Sequence, residues 1–305
     1  MQLVGRIDLV GAGGEPVDFR RTLASHGVAM LAPQRLNTET WTLETTMALP
    51  GGVQSIRIRQ QQPDLAVVET AERRPGPAMC QQLTDAARFL LRLDEDLSPF
   101  YVLAKADESM GWVISGAGRM LRSLTVFEDV VKTICTTNCS WSATVRMTNA
   151  LVNSLGEPCR DGRRAFPTPA AMAAAGNDFY VHVARAGYRG DYLLRIATGV
   201  AEGRLDLEQL RDPALDDAEV ERRLLALPGV GPYAAAHVML TSLGRYRRLV
   251  LDSWTRPTYA NLVGRLTSDL AIERRFRRYR QYGGLAFWLF LTKGWLDDEP
   301  DDESP

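Results

Sequence analysis

Leu227-Pro228-Gly229-Val230-Gly231-Pro232-Tyr233-Ala234-Ala235-Ala236, continuing through HVMLTSLGRYRRLVL to Asp252-Ser253-Trp254, is the stretch whose reading decides the fold. DDAEVERRLLAL before it has the apolar spacing of a helix, and Tyr233 to Ser242 has that of another. Gly-x-Gly between two helices permits a tight turn with positive φ and leaves the first N–H groups of the second helix uncovered. Such amides bind anions, and a nucleic-acid phosphate is one. The same residues also suit a plain turn between helices. Asp252 comes 21 residues after Gly231 and follows the aliphatic run Leu249-Val250-Leu251. A carboxylate turned inward there is costly unless paired or functional. It can equally cap a helix entered through Ser253-Trp254-Thr255-Arg256, and the two roles are compatible.

Outward from the hairpin the pattern stays helical. From about Gln81, QQLTDAARFLLRLDEDL has helical periodicity, and later helices are punctuated at Pro99, Pro158, Pro167, Pro169, Pro213, Pro228 and Pro257. The first part differs. TWTLETTMAL and VQSIRIRQQ alternate apolar with polar residues across Pro50-Gly51-Gly52, and PDLAVVETAE reads as a third strand. Val17 to Leu23 starts a strand or helix that packs on them. The class is therefore α+β. An antiparallel β domain over residues 1–77 packs on a larger all-α domain over 78–305, with the hairpin at about 218–242 and an acidic tail at 297–305.

Composition narrows the function classes. The start, MQLVGRIDLVGAGGEP, has neither a basic segment nor a continuous apolar one, and no stretch approaches the roughly 18 apolar residues of a membrane span. A cytoplasmic monomer is expected. Cys80, Cys135, Cys139 and Cys159 form no C-x-x-C pair, so buried free thiols are expected rather than a zinc or redox centre. His26, His182 and His237 lie far apart in sequence and suggest polar packing, not a metal cluster. A net charge of -1 argues against a polyanionic partner, but it hides an uneven distribution. The tail is strongly acidic, while Arg245 to Arg248 and Arg274 to Arg280 are basic. These runs permit nucleic-acid binding without demonstrating it.

L-P-G-V-G followed about twenty residues later by apolar-apolar-Asp resembles the signature of helix-hairpin-helix DNA glycosylases. Further stations follow in one order over residues 120 to 291. Ile134-Cys135-Thr136-Thr137-Asn138 resembles the segment of 8-oxoguanine glycosylases whose Asn fills the gap left by an extruded base. Phe166-Pro167-Thr168-Pro169, Ala186-Gly187-Tyr188-Arg189 and Tyr282-Gly283-Gly284-Leu285-Ala286 are similar to later segments. The resemblance implies an N-terminal sheet on a helical glycosylase domain and double-stranded DNA with a damaged base as partner, at the nucleoid. It implies Leu227, Pro228, Gly229, Val230 and Gly231 as the DNA-gripping hairpin, Asp252 as the catalytic carboxylate, and Asn138 and Tyr188 as gap-filler and wedge. It further implies a monovalent cation, Na+ or K+, on the carbonyls of Leu225, Leu227 and Val230. No cysteine follows Cys159, so the iron-sulfur loop of some relatives is not expected, and no other cofactor is implied.

Departures from the family pattern refine the chemistry. Tyr233 stands where bifunctional members place the Schiff-base lysine, and tyrosine cannot form an imine; a monofunctional hydrolase without lyase activity is expected. Ser25-His26-Gly27 stands for a Ser-Gly-Gln element, Phe287 with Trp288 beside it for a base-reading Gln, and Trp254 for a His. Trp254, Phe287, Trp288 and His26 are thus candidate pocket residues. Aromatic walls favour cationic N-alkylated purines of the 3-methyladenine or 7-methylguanine type. The alternatives are a glycosylase for 8-oxoguanine or hypoxanthine, a non-catalytic lesion-binding protein, and an α+β protein whose G-V-G turn is only structural.

Overall fold

Pro50 and Gly51 form the two-residue turn between Leu49 and Gly52, with Gly51 at φ +102°, where a side chain would be strained. The structure, a computed structural model, describes residues 1–71, 73 and 75–296, so the acidic tail at 297–305 lies outside the described residues. In chain order come β1 (Gln2–Asp8), α1 (Phe19–Leu23), β2 (Arg35–Asn37), β3 (Thr42–Leu49), β4 (Gly52–Gln62) and β5 (Leu65–Thr70). Then follow α2 (Pro77–Leu90), α3 (Ser98–Lys105), α4 (Val126–Thr136), α5 (Trp141–Leu155), α6 (Pro169–Ala174), α7 (Gly176–Asp178) and α8 (Arg189–Ala201). The chain continues with α9 (Asp217–Leu225), α10 (Pro232–Thr241), α11 (Thr255–Val263), α12 (Asp269–Phe276) and α13 (Gly283–Thr292). The class is α+β, as expected. No described helix is long and apolar enough to cross a membrane.

All strand pairs are antiparallel, in the order β1-β5-β4-β3-β2. The three alternating segments form β3, β4 and β5, with Leu43 opposite Ile58 and Ile58 opposite Val68. The edge strands β1 and β2 were not anticipated. Val17 to Leu23 resolves into the short helix α1, capped by Asp18, whose Oδ1 accepts Arg21 N–H at 2.9 Å. Cys80, Leu83, Ala87 and Leu90 of α2 bury against Ile56, Ile58 and Val68, so the sheet's core extends past residue 78.

Two helical cores meet on α10. Ala234, Ala235, Val238 and Met239 pack with Val130, Ile134, Leu193 and Leu224, whereas Ala236 and Leu240 pack with Tyr246, Leu285 and Phe287. Every residue from Ala234 to Thr241 is buried. A helix apolar all round has to be covered on all sides. Burying Val238, Met239 and Leu240 contributes about 1.5–3 kcal/mol each.

The C-terminal end of α10 is closed from the sheet side. Arg92, 1% exposed, donates from Nη2 to the carbonyls of Thr241 and Ser242, the latter at 3.2 Å, and from Nε to Met120 O at 2.9 Å. A buried guanidinium thus satisfies carbonyls that a helix end leaves unpaired. Arg92→Leu should therefore lower stability by about 3 kcal/mol, since both the carbonyls and Glu95, 3.5 Å from Nη1, lose their donor. Urea denaturation checks this; an unchanged midpoint would remove Arg92 from the α10 cap.

Candidate active site

The hairpin forms as the sequence predicts, between α9 and α10. Gly229 has φ +77°, and a Cβ there would lie 2.5 Å from a ring carbon of Tyr192, so both backbone and space require glycine. Gly231 differs from the expected positive φ: it is extended at φ -95°, ψ -175°. It is the N-cap of α10 and makes no side-chain cap, and Pro232 brings no N–H at N1. The leading amides of a ten-residue helix therefore face the turn with no side-chain acceptor. Leu227, Pro228, Gly229, Val230 and Gly231 form this turn; Gly229, Val230 and Gly231 line a cleft of about 790 Å³.

Asp252 lines the same cleft from the opposite side. Its Oδ1 accepts the backbone N–H of Trp254 at 2.9 Å and of Thr255 at 2.6 Å, while its own N–H donates to Thr255 Oγ1 at 2.8 Å. The cap reading is therefore correct, and it coexists with placement in the cleft. Because capping consumes one oxygen, Oδ2 has no hydrogen-bond donor among the described residues. Two amides and one threonine fix the carboxylate's plane. Tyr233 stands in the same cleft with its Oη 3.2 Å from Thr136 Oγ1. Burial, with help from the Asp252 charge, raises its phenol pKa above the usual value. It presents a neutral hydroxyl.

Asn138 and Tyr188 come together at one rim. Asn138 Nδ2 donates to Tyr188 Oη at 3.3 Å, and Asn138 adopts φ +47°, a left-handed backbone that asparagine tolerates. Tyr188 is 54% exposed and meets Tyr192 edge-on at 5.8 Å. What locks the rim is a residue sequence reasoning passed over. Arg189 donates through Nε to Thr137 O at 3.0 Å and through Nη1 to Ala186 O at 3.4 Å, with its guanidinium 4.6 Å from the Tyr188 ring centre. The α4 exit and the α8 entrance are thereby held as one edge.

Beside the cleft lies a cluster of rings. Tyr233 contacts His237 at 5.8 Å, His237 contacts Trp288 at 6.1 Å, and Trp288 contacts Trp254 at 5.7 Å. Trp295 completes it, 5.8 Å from Trp254. Trp254 is 40% exposed, and Trp288 is buried, donating Nε1–H to Ser25 O at 2.8 Å. His26 lies 5.7 Å from His237, ring to ring. Trp254, Trp288 and His26 thus assemble, but Phe287 does not. Phe287 is fully buried and packs on Phe276 at 5.3 Å and Tyr259 at 6.1 Å, because successive helical residues point about 100° apart. The expectation of separated histidines is corrected too: His26 and His237 are neighbours. Burial lowers the His26 pKa to about 3, and the His237 pKa to about 4 despite the opposing charges of Asp129 and Asp252. Both imidazoles are neutral at pH 7. His237 and Trp295 were missed because only the folded chain brings them here.

Two other expectations concern composition. All four cysteines are free; Cys135 is buried, whereas Cys139 is half-buried and lines the cleft. The basic runs are partly neutralised, with Arg245 on Asp217 at 3.0 Å, Arg248 on Glu221 at 2.5 Å, and Arg278 on Asp107. Among the described residues, no group of His, Cys, Asp and Glu could hold a metal.

No family model matches the chain. A Bacillus subtilis (strain 168) protein provisionally named a DNA-3-methyladenine glycosylase is 25% identical over 169 residues, 53% of this chain and 58% of that relative. The match thus spans less than two thirds of the relative's length. The 3-methyladenine DNA glycosylase from Archaeoglobus fulgidus superposes with a TM-score of 0.73 at 20% identity, over 94% of this chain and 98% of that one. An 8-oxoguanine glycosylase/lyase from Clostridium acetobutylicum, solved with double-stranded DNA containing cytosine opposite 8-oxoG, superposes with a TM-score of 0.70 at 19% identity, over 91% of each chain. With its N-terminal antiparallel sheet, its helical bulk and the α9–α10 hairpin, the chain has the fold of the helix-hairpin-helix DNA glycosylases.

Proposed function

We propose that the protein is a monofunctional DNA glycosylase of base excision repair that extrudes a damaged purine and hydrolyses its N-glycosidic bond. One observation carries this reading: a single cleft is lined by the hairpin's uncapped helix start, by Asn138 with Tyr188, and by an Asp252 oxygen that no protein group occupies. Each part has a task. The α10 amides grip a backbone phosphate of the duplex. Tyr188 inserts apolar surface at the lesion, and Asn138 offers its amide to the orphaned opposite base. Asp252 stabilises the positive charge that grows on the sugar and orients or deprotonates the attacking water. Both the Archaeoglobus and Bacillus relatives are named for 3-methyladenine, which supports a preference for N-alkylated purines. The tryptophan-rich ring cluster adds to that support, since an aromatic face attracts a cationic base.

Carbonyls of the hairpin suit a monovalent cation. Leu225 O and Val230 O take no backbone hydrogen bond among the described residues, and Leu227 O accepts only Val230 N–H, at 3.2 Å. Neutral oxygens of this kind would hold Na+ or K+ and steady the turn.

A panel of duplexes bearing 3-methyladenine, 7-methylguanine, hypoxanthine or 8-oxoguanine tests the substrate, with alkali revealing abasic sites. Release of the methylated bases is expected; release of 8-oxoguanine alone would replace the alkylated substrate class with the oxidised one. Asp252→Asn should reduce release by ~10²-fold or more while duplex binding stays within several-fold. Equal release by the variant and the native protein refutes the carboxylate's role.

Because Tyr233 cannot form an imine, borohydride should trap no covalent protein–DNA adduct, and strand cleavage should appear only after alkali. An adduct would show that another amine acts as nucleophile and that the enzyme is a lyase.

A further inference from the structure

We infer that His26 and His237 form a neutral pair of hydrogen-bond acceptors that reads an exocyclic amine of the extruded base, making them specificity-determining residues of the proposed glycosylase site. This rests on the reading of the cleft given above.

Hydrogen-bond logic fixes both tautomers. His26 Nε2 lies 2.6 Å from the Leu121 carbonyl, which can only accept, so Nε2 carries the proton and Nδ1 a lone pair. That Nδ1 is buried without any partner, on a side chain 2% exposed. Buried polar atoms normally have partners, so an orphaned acceptor here awaits a donor. His237 follows the same logic. Thr241 Oγ1 gives its hydrogen to His237 O at 2.9 Å, so across the 3.5 Å contact His237 Nδ1 is the donor. Nε2 of His237 is then the acceptor and has no bond among the described residues.

The pair sits one ring behind the cleft wall. His237 meets Tyr233 of the cleft at 5.8 Å and His26 at 5.7 Å, the two imidazoles nearly perpendicular at 81°. No nearby cation serves the lone pairs. Lys132 is engaged by Gln34 and Glu128, and Arg92 by the carbonyls at the end of α10. Burial keeps both rings unprotonated, as acceptors must be. Two acceptors favour N–H groups and disfavour a carbonyl oxygen in the same place, because opposed lone pairs leave buried polar atoms unpaired. The chemical class is an amine-bearing purine, such as an alkylated adenine.

Free adenine and free purine, which lacks the amine, separate this inference from the glycosylase reading. Titrated against the full chain with tryptophan fluorescence as readout, adenine should bind at least tenfold more tightly than purine. His26→Leu and His237→Leu should each bring that ratio to within threefold without weakening purine binding. A ratio near one in the native protein, no binding of adenine, or an undiminished ratio in both folded variants overturns the inference. The native comparison needs no variant to fold. Base release from methylated duplexes reports on the other claim: release with adenine and purine bound equally leaves the enzyme and removes the histidine pair. Preference for adenine without release from any lesion duplex leaves the pair and removes the enzyme.

Discussion

The burial of α10 on all sides is the constraint on which the rest of the molecule depends. A helix of Ala, Val, Met and Leu with no solvated face must be enclosed, and two separate helical cores do so. Enclosure fixes both ends. At the C-terminal end a buried arginine from the sheet side satisfies the last carbonyls; at the N-terminal end Gly231 and Pro232 leave the first amides without a side-chain cap. The end that the protein leaves uncovered is the end that faces the cleft.

From this follows a division of labour around the cleft. Rigid backbone supplies the anion grip, so the cleft needs little basic side-chain charge, which suits a chain whose net charge is -1. The carboxylate of Asp252 is held by amides of its own turn. Next to these lies an uncharged layer, with Tyr233, His237 and His26 all kept neutral by burial. Low local polarity strengthens the field of the one carboxylate that remains in the cleft. It also makes the orphaned imidazole nitrogen of His26 conspicuous.

Capping and catalysis were competing readings of Asp252, and the fold reconciles them by giving each oxygen a different task. Oδ1 serves the helix start and Oδ2 is left to the cleft. The rim works in a comparable way. Asn138 and Tyr188 are 50 residues apart, yet Arg189 clamps both segments through the Thr137 carbonyl. An arginine that reads in sequence as one more basic residue is a buried tie.

The sequence by itself determined what local spacing and backbone chemistry encode: the α+β order, strands β3 to β5, the hairpin with its glycine requirement at Gly229, and an aspartate at the start of the following helix. These depend on neighbours within a few residues, so periodicity and turn chemistry suffice to find them. Edge strands β1 and β2 escaped because strand pairing, not pattern, defines so short or irregular a segment. Only the tertiary structure decided which aromatic residues meet. Phe287 and Trp288 are adjacent and equally plausible as letters, but the rotation of α13 sends one into the core and the other to the Ser25 carbonyl, 263 positions away in the chain. His26 and His237 likewise become neighbours only when the sheet-side segment closes on α10, because contacts of such separation carry no local signal.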